Sequence, residues 1–203
     1  MTDAATIRPM RLRDRGAATA TAARAFTIDP LFGHFTRGRL HAHRVLPGLL
    51  GGYVDDLARH GETWVVEDAD GVVGMAGWCA PGTLPRGAKR DATIAYKALP
   101  AAMRMAHPLG GLGLLASVER QHLDTDHWYL ALLVVDPERQ GRGVGGSLIQ
   151  LGLDRADDAG MPAYLETQKA SNVSWYARYG FELTRTIERR RTPPVWCLTR
   201  QPR

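Results

Sequence analysis

The chain has 203 residues, of which 44% are hydrophobic and 23% are charged, as in an ordinary globular domain with one sizeable core. We therefore expect a single domain over residues 1–203. The net charge of +5 is spread over scattered basic residues apart from a run at 189–191, so it gives no reason to expect nucleic acid as a partner.

Membrane, disulfide-rich and metal-binding proteins are all disfavoured by the sequence. No apolar run approaches the roughly eighteen residues of a membrane-spanning helix, and the first residues form no apolar signal segment. Cys79 and Cys197 have no paired spacing, and His41 and His43 would point to different faces of a helix. We expect a cytoplasmic protein with two buried thiols, no metal and no membrane partner.

The first sixty or so residues are predicted to form helices. Asp14 is a candidate amino-terminal cap for an alanine-rich helix that ends at Phe26. The helical pattern resumes after Pro30, but Pro47 and three nearby glycines interrupt it. We therefore expect two short helices there instead of one long helix.

A β-hairpin and further helices are predicted next. Residues 62–82 predict two strands joined at Asp70 and Gly71, where the turn requires a positive φ. Residues 83–124 predict a helix, a break at 108–113 and a second helix.

The last third of the chain gives the clearest pattern. Residues 127–135 predict a strand, and a glycine-rich stretch then begins a helix that runs to about Ala159 and ends at Gly160. A strand, a short helix and two closing strands follow, over residues 162–167, 171–180, 181–188 and 194–200. The whole predicts one mixed α/β (α+β) domain, with an antiparallel first half and one βαβ unit at its centre.

The glycine-rich stretch VVDPERQGRGVGGSL predicts a site for an anion. Gly143, Gly145 and Gly146 fall in or beside the first turn of the helix, where each destabilises it by up to about 1 kcal/mol relative to alanine. A plain turn needs fewer glycines. Without side chains, an anionic ligand can approach free backbone N–H groups, where the helix dipole favours negative charge.

A Rossmann dinucleotide site is the first interpretation of these glycines. Gly141, Gly143 and Gly146 spell G-x-G-x-x-G, and Glu166 ends the next strand about twenty residues on. However, the segment DPERQ separates the strand from the first glycine, which should follow it directly. Only about sixty residues remain for a fold of some six strands, so this interpretation is disfavoured.

The flanking residues resemble another family. Gln140, Gly143 and Gly145 match Q/R-x-x-G-x-G/A, the acetyl-CoA pyrophosphate motif of the GNAT superfamily of N-acetyltransferases. Asn172 and the segment Tyr-Ala-Arg-Tyr-Gly-Phe at 176–181 resemble the Asn…Tyr-x-x-x-Gly-Phe signature of that superfamily. The resemblance is strong over residues 128–188 and implies the GNAT fold, a mixed sheet with an antiparallel amino-terminal half and splayed parallel central strands.

The resemblance also implies acetyl-CoA as co-substrate. Backbone N–H groups of residues 141–146 would hold its phosphates, and the pantetheine arm would bond the main chain of residues 133–135 like an added strand. The implied contacts are Leu133, Val134, Val135, Gln140, Gly141, Arg142, Gly143, Val144, Gly145, Gly146 and Asn172.

Acetyl transfer to an amine requires a base, because an alkylamine has a pKa of roughly 10.4 and must lose its proton to attack. Glu166 at the end of its strand is the best-placed carboxylate, with His127 and Tyr129 as secondary candidates. A carboxylate that merely bonds a loop N–H is an equal alternative for Glu166. Tyr176 occupies the superfamily's general-acid position and is preferred to Tyr179, although an aromatic packed in the core is the alternative.

Within the superfamily the chain resembles the puromycin N-acetyltransferases, through Ala-Arg-Ala-Phe before Pro30 and the segments HWYLALLVVDP, GMPAYLET and VWCLTRQP. It departs from them at Asp29, where a tyrosine is expected, so the acceptor stays open. We expect a small-molecule amine as acceptor and a homodimer through the closing strands. A non-catalytic acyl-CoA-binding sensor or interaction module is the alternative function. Residues expected to shape the acceptor pocket are Asp29, Phe32, His34 and Trp78.

Overall fold

The structure, a computed structural model, describes residues 5–106, 123, 125–188 and 192–203. The predicted break at 108–113, most of the helix expected after it and the basic run at 189–191 lie outside these residues. The helices are α1 (Arg15–Phe26), α2 (Pro30–Phe35), α3 (Arg39–His60), α4 (Ala88–Ala102), α5 (Val144–Asp158) and α6 (Ala170–Ala177). The strands are β1 (Thr6–Pro9), β2 (Glu62–Asp68), β3 (Gly71–Cys79), β4 (Trp128–Val135), β5 (Ala163–Thr167), β6 (Glu182–Ile187) and β7 (Val195–Arg200).

The described strands form a seven-stranded mixed sheet in the order β1-β2-β3-β4-β5-β7-β6. Only β4 and β5 pair in parallel; the other neighbouring strands that the structure describes pair antiparallel. The crossover between the parallel strands is α5, as a βαβ unit requires. The predicted mixed sheet with an antiparallel amino-terminal half and parallel central strands is confirmed.

Each face of the sheet carries its own core. On one face, which we call the α1 face, α1 and α3 pack over β3 and β4 through residues such as Ala22, Leu46 and Val54. On the other face, the α5 face, α5 packs through Leu148 and Ile149, and α6 closes the end beside β5. Because side chains alternate along a strand, each central strand supplies both cores.

The prediction of two short helices after Pro30 was wrong, because α3 is one long helix of 22 residues. The chain breaks at residues 36–38, and α3 then runs without interruption through Pro47. Glycine serves close packing here: a Cβ at Gly48 would lie 2.8 Å from the Ala101 Cβ, and one at Gly52 would lie 3.1 Å from the Ile94 carbonyl oxygen of α4. Burial of one face of α3 outweighs the local preference of proline and glycine to end a helix.

Asp14 occupies the N-cap position of α1, which ends at Phe26 as predicted, but its side chain does not cap that helix. Asp14 lies in a short 3-10 helix before α1, and its carboxylate accepts from the Arg11 backbone N–H and from the Arg8 guanidinium at 2.6 Å. No local sequence pattern indicates β1, a four-residue edge strand. The hairpin is confirmed, with Gly71 at a φ of 102°.

Candidate functional site

The two parallel strands separate soon after they meet. They pair only at Trp128 with Ala163 and at Tyr129 with Tyr164, although β4 continues to Val135. Its other edge stays paired with β3 along that whole length. The rest of the β4 edge therefore faces a gap between the strands.

A β-bulge lies on β4 where this gap begins. Gly77 of β3 pairs with Leu132, whereas the next residue, Trp78, pairs with Leu130, so that Ala131 is an extra residue. A bulge bends its strand and increases the local twist. The bulge at Ala131 therefore helps to turn β4 away from β5.

A cavity of about 550 Å³ lies at this gap. Its walls come from the end of β4, the glycine-rich loop, the first turn of α5, the segment joining α1 to α2, and α6. It brings together most of the residues predicted to contact the cofactor, together with the predicted acid: Leu133, Val134, Val135, Gln140, Gly141, Gly143, Val144, Gly145, Gly146, Asn172 and Tyr176. Arg142 and Glu166 were also predicted for the site, but they are not among the described residues that line the cavity.

The start of α5 offers unbonded N–H groups to this cavity. Gly141 and Gly143 have φ values of 76° and 84°, a conformation that favours glycine. Gly143 is the N-cap, and within the described residues no side chain caps the helix. The first-turn N–H groups of Val144, Gly145 and Gly146 have no partner within the helix, so they are available to an anion. The donors at this end of the cavity fit a pyrophosphate.

Gly146 also leaves space for the ring of Tyr179, a role that the sequence motif does not indicate. A Cβ at this position would lie 2.5 Å from the Tyr179 hydroxyl oxygen, so the glycine lets that ring approach the helix. Tyr179 in turn packs on Trp175, with their ring centroids 4.8 Å apart. Tyr179 therefore forms part of the wall of the cavity.

The loop between β4 and α5 is held by ion pairs that no motif in the sequence indicates. The Asp136 carboxylate accepts from the Glu138 backbone N–H at 3.0 Å and from Arg24 Nε of α1 at 2.7 Å. Arg139 donates to Asp68 at 2.9 Å and also pairs with Asp70, which fixes the loop to the β2–β3 turn. These pairs join residues far apart in sequence, so no local pattern could have revealed them.

Gln140 and Asn172 are both held by the protein itself. Gln140 Nε2 donates to the Val135 carbonyl oxygen at 3.1 Å and so closes the loop back onto the end of β4. Asn172 Nδ2 donates to Thr167 Oγ1 at 3.0 Å, which orients the Asn172 side chain at the end of β5.

Tyr176 lies on the α5 face, where its ring packs against Trp175 and Phe181. The ring is buried, and burial raises the pKa of its phenol above the ordinary value. Its hydroxyl makes no hydrogen bond to any residue that the structure describes. The hydroxyl of Tyr176 is therefore a free donor at the wall of the cavity.

Glu166 lies on the opposite, α1 face of the sheet. Its neighbour Leu165 packs in the α5-face core, and Glu166 itself interacts with Tyr129 and Tyr164. Burial raises the pKa of its carboxyl to about 7, partly offset by hydrogen bonds with these two tyrosines. A carboxyl with this pKa can exchange a proton near neutral pH.

The secondary base candidates lie close to Glu166. Tyr129 belongs to the same cluster, and burial raises its pKa well above the ordinary value. The His127 ring packs edge-on against Tyr164 with centroids 5.6 Å apart, and its Nδ1 lies 2.7 Å from the Thr125 carbonyl oxygen. Neither residue is among the described residues that line the cavity.

Of the four residues expected to shape the acceptor pocket, only Asp29 is among the described residues that line the cavity. Asp29 lines the cavity, Phe32 packs on Phe26 with centroids 5.0 Å apart, and His34 packs on Phe35. The expectation for Trp78 was wrong: it is 0% exposed in the α5-face core. Alternation along β3 turns it under α5, where Gly152 makes room for the indole.

Both cysteines are buried and free, as expected, and burial raises the pKa of Cys79 to about 11. Within the described ranges, no cluster of His, Cys, Asp and Glu side chains is arranged to hold a metal ion. No described helix combines the length and apolar character that crossing a membrane requires.

Comparison with known families gives one match over most of the chain. The model of the acetyltransferase (GNAT) family matches residues 33–181. This range includes β2 to β5, the glycine-rich loop, α5 and α6.

Solved acetyltransferase structures share the whole fold at low sequence identity. A Corynebacterium glutamicum protein described as histone acetyltransferase HPA2 and related acetyltransferase has 22% identity and a TM-score of 0.66, over 100% of this chain and 98% of its own. The Drosophila melanogaster polyamine N-acetyltransferase has 15% identity and a TM-score of 0.58, over 98% and 100%. The Escherichia coli ribosomal-protein-S18-alanine N-acetyltransferase has 13% identity and a TM-score of 0.56, over 98% and 94%.

Proposed function

Since the chain belongs to the acetyltransferase (GNAT) family, we propose that this acyltransferase moves an acetyl group from acetyl-CoA directly to the amine of a small molecule. The observation that carries the proposal is a single cavity that combines two features. One is the uncapped start of α5, and the other is the strand edge of β4 that β5 leaves open. The first suits a pyrophosphate, and the second suits the amides of a pantetheine arm.

The proposed cofactor contacts are those that line this cavity. N–H groups of residues 141–146 bind the phosphates, the main chain of residues 133–135 binds the arm, and Asn172 adds a polar contact. Acetyl-CoA, when bound, supplies the thioester whose carbonyl carbon the amine attacks. Gln140 supports the site by holding the loop against Val135.

Glu166 and Tyr176 are proposed to move the protons. Glu166 accepts the proton that the amine loses as its nitrogen bonds to the acetyl carbon, and a pKa of about 7 leaves much of this carboxyl ionised at neutral pH. Tyr176 donates its hydroxyl proton to the sulfur as the carbon–sulfur bond breaks. Exchange with solvent then returns a proton to Tyr176 and removes one from Glu166, so that the products are an amide and a free thiol.

The finer features of the proposal are the acceptor, the compartment and the assembly. We propose an acceptor the size of an antibiotic or metabolite, with puromycin as one candidate, a cytoplasmic location, and a homodimer through β6 and β7. The polyamine N-acetyltransferase among the similar structures is named for a small amine, which supports the small-molecule class. β6 is an exposed edge strand, and Leu183 on it is 48% exposed, which suits an interface.

The test measures turnover of acetyl-CoA with a panel of amines that includes puromycin, and the readout is the release of free thiol. We expect turnover with at least one amine, and stabilisation of the protein against heat by coenzyme A but not by NAD. Coenzyme A binding without turnover of any amine would favour the non-catalytic sensor instead. Sedimentation of the purified protein measures the proposed dimer.

A further inference from the structure

Asp29 places a carboxylate in the wall of the cavity at the start of α2. One oxygen, Oδ1, caps this helix by accepting from the Leu31 N–H at 2.8 Å and the Phe32 N–H at 3.4 Å. The other oxygen, Oδ2, makes no hydrogen bond to any residue that the structure describes. The side chain therefore presents one unused acceptor oxygen to the cavity.

The negative charge of Asp29 is not needed for the cap. Asparagine and serine cap helices about as well as aspartate, because the cap requires only an acceptor oxygen. Burial also raises the pKa of the Asp29 carboxyl, so the charged form is held in a less favourable environment than water. A partly buried charge with a free oxygen calls for an explanation beyond the helix cap.

No cation within the described part of the chain forms an ion pair with Asp29. Lys169, at the start of α6, also lines the cavity and is near enough to lower the Asp29 pKa, yet the two side chains form no hydrogen bond or ion pair. The phosphates of the proposed co-substrate would bind at the start of α5, which also lines this cavity. A carboxylate repels phosphate, so a cationic group is the natural partner of Asp29.

Asp29 also lies on the side from which the acceptor would approach. Phe26 and Phe32, on either side of it in the sequence, pack on the core of the α1 face, which is the face of Glu166. In the proposed function, Glu166 takes the proton of the attacking amine. The acceptor and Asp29 therefore share one side of the gap.

We propose that Asp29 binds a second cationic group of the acceptor, so that the acceptor is an amine with a further positive charge, such as an alkyl diamine. This inference rests on the proposed function and narrows its substrate class. Phe26 and Ile28, close to Asp29 in the sequence, also line the cavity and would contact the alkyl chain between the two nitrogens. An ammonium bound to Oδ2 forms a charge-assisted hydrogen bond, which is stronger than a neutral one.

Binding measured by calorimetry tests this inference apart from catalysis. The protein, saturated with coenzyme A, is titrated with 1,4-diaminobutane and with n-butylamine. We expect the wild-type protein to prefer the diamine by at least about tenfold, and Asp29→Asn to lose most of that preference. Asp29→Asn keeps the oxygen that caps α2, so its melting temperature should stay that of the wild type. The matched control Asp158→Asn removes an exposed charge outside the cavity and should keep the preference.

Two outcomes would overturn the inference: a wild-type protein that shows no preference for the diamine, or a preference that survives in Asp29→Asn. Failure of the proposed function has a different signature, since it is seen as the absence of thiol release with every amine. A diamine preference that depends on Asp29 would support the inference even then, because binding is measured without turnover.

Discussion

The Glu166 carboxylate and the Tyr176 phenol lie on opposite faces of the sheet, beside the gap that opens between β4 and β5. Glu166 belongs to a cluster of tyrosines on the α1 face, whereas Tyr176 packs among apolar residues on the α5 face. A substrate held in the gap would therefore have a proton acceptor on one side and a proton donor on the other.

Tyr176→Phe should lower kcat by about 100-fold and leave the KM for acetyl-CoA nearly unchanged, because only the proton donor is removed. The hydroxyl has no partner among the described residues, so the fold should not suffer. Steady-state kinetics measures this. Tyr179→Phe is the matched control, and an equal loss of kcat in both variants would contradict the assignment of the acid to Tyr176.

Glu166→Gln should remove the rise of kcat/KM with pH that the carboxyl imposes. In the wild type, ionisation of Glu166 gives a rising limb centred near its pKa of about 7. Gln cannot ionise, so the variant should be slower by about 100-fold and follow only the titration of the amine. The measurement is a pH–rate profile of both proteins. A rising limb near pH 7 that persists in the variant would assign the base to another group.

The same variant should change how stability depends on pH. The folded pKa of Glu166 is about 7 against an ordinary value of 4.5, so between these values the folded state holds a proton that the unfolded state has lost. The wild type should therefore lose about 3 kcal/mol relative to Glu166→Gln as the pH rises through this window. Urea unfolding at pH 4.5 and pH 8 measures it. Parallel curves for the two proteins would mean that the pKa is not raised.

Gly143→Ala should weaken binding of acetyl-CoA by about tenfold, because a side chain at this φ strains the backbone and displaces an N–H group from the phosphate, and the loss of one such hydrogen bond is worth about 1.5 kcal/mol. It should also destabilise the fold by about 1–2 kcal/mol, because Gly143 has a φ of 84°. Gly160→Ala is the control at the other end of α5, with a φ of 59° and no place in the cavity. It should lose comparable stability and keep its affinity. Calorimetry and urea unfolding separate the two effects.

Gly152→Ala should destabilise the protein by about 3 kcal/mol or more, because an added Cβ would lie 2.1 Å from the Trp78 ring. Trp78 is enclosed in the core and cannot move aside without disturbing the packing. Gly16→Ala in α1 is the control, since a Cβ there meets nothing within 4 Å. Urea unfolding of the two variants tests the contact, and equal stabilities would contradict it.

Local patterns in the sequence predicted most of the elements. The hairpin at Gly71, the strand before the glycine-rich loop, the helix after it and the closing strands all follow from periodicity and turn residues. The errors occurred where contacts between distant parts of the chain determine the local structure. α3 continues through Pro47 because its side chains are buried, and Asp14 binds Arg8 instead of capping α1. Trp78 was expected to shape the acceptor pocket, but alternation along β3 puts it under α5.

The sequence by itself determined the family, since the motif from Gln140 to Gly145 and the later Asn172 and Tyr176 are local and specific, and it predicted the glycine-rich loop as an anion site. Only the tertiary structure decided the point at which β4 separates from β5, the bulge at Ala131 and the opposite placement of Glu166 and Tyr176. These features depend on strand register and on burial from both faces of the sheet. Register and burial arise from contacts between residues far apart in the chain, and no short segment encodes them.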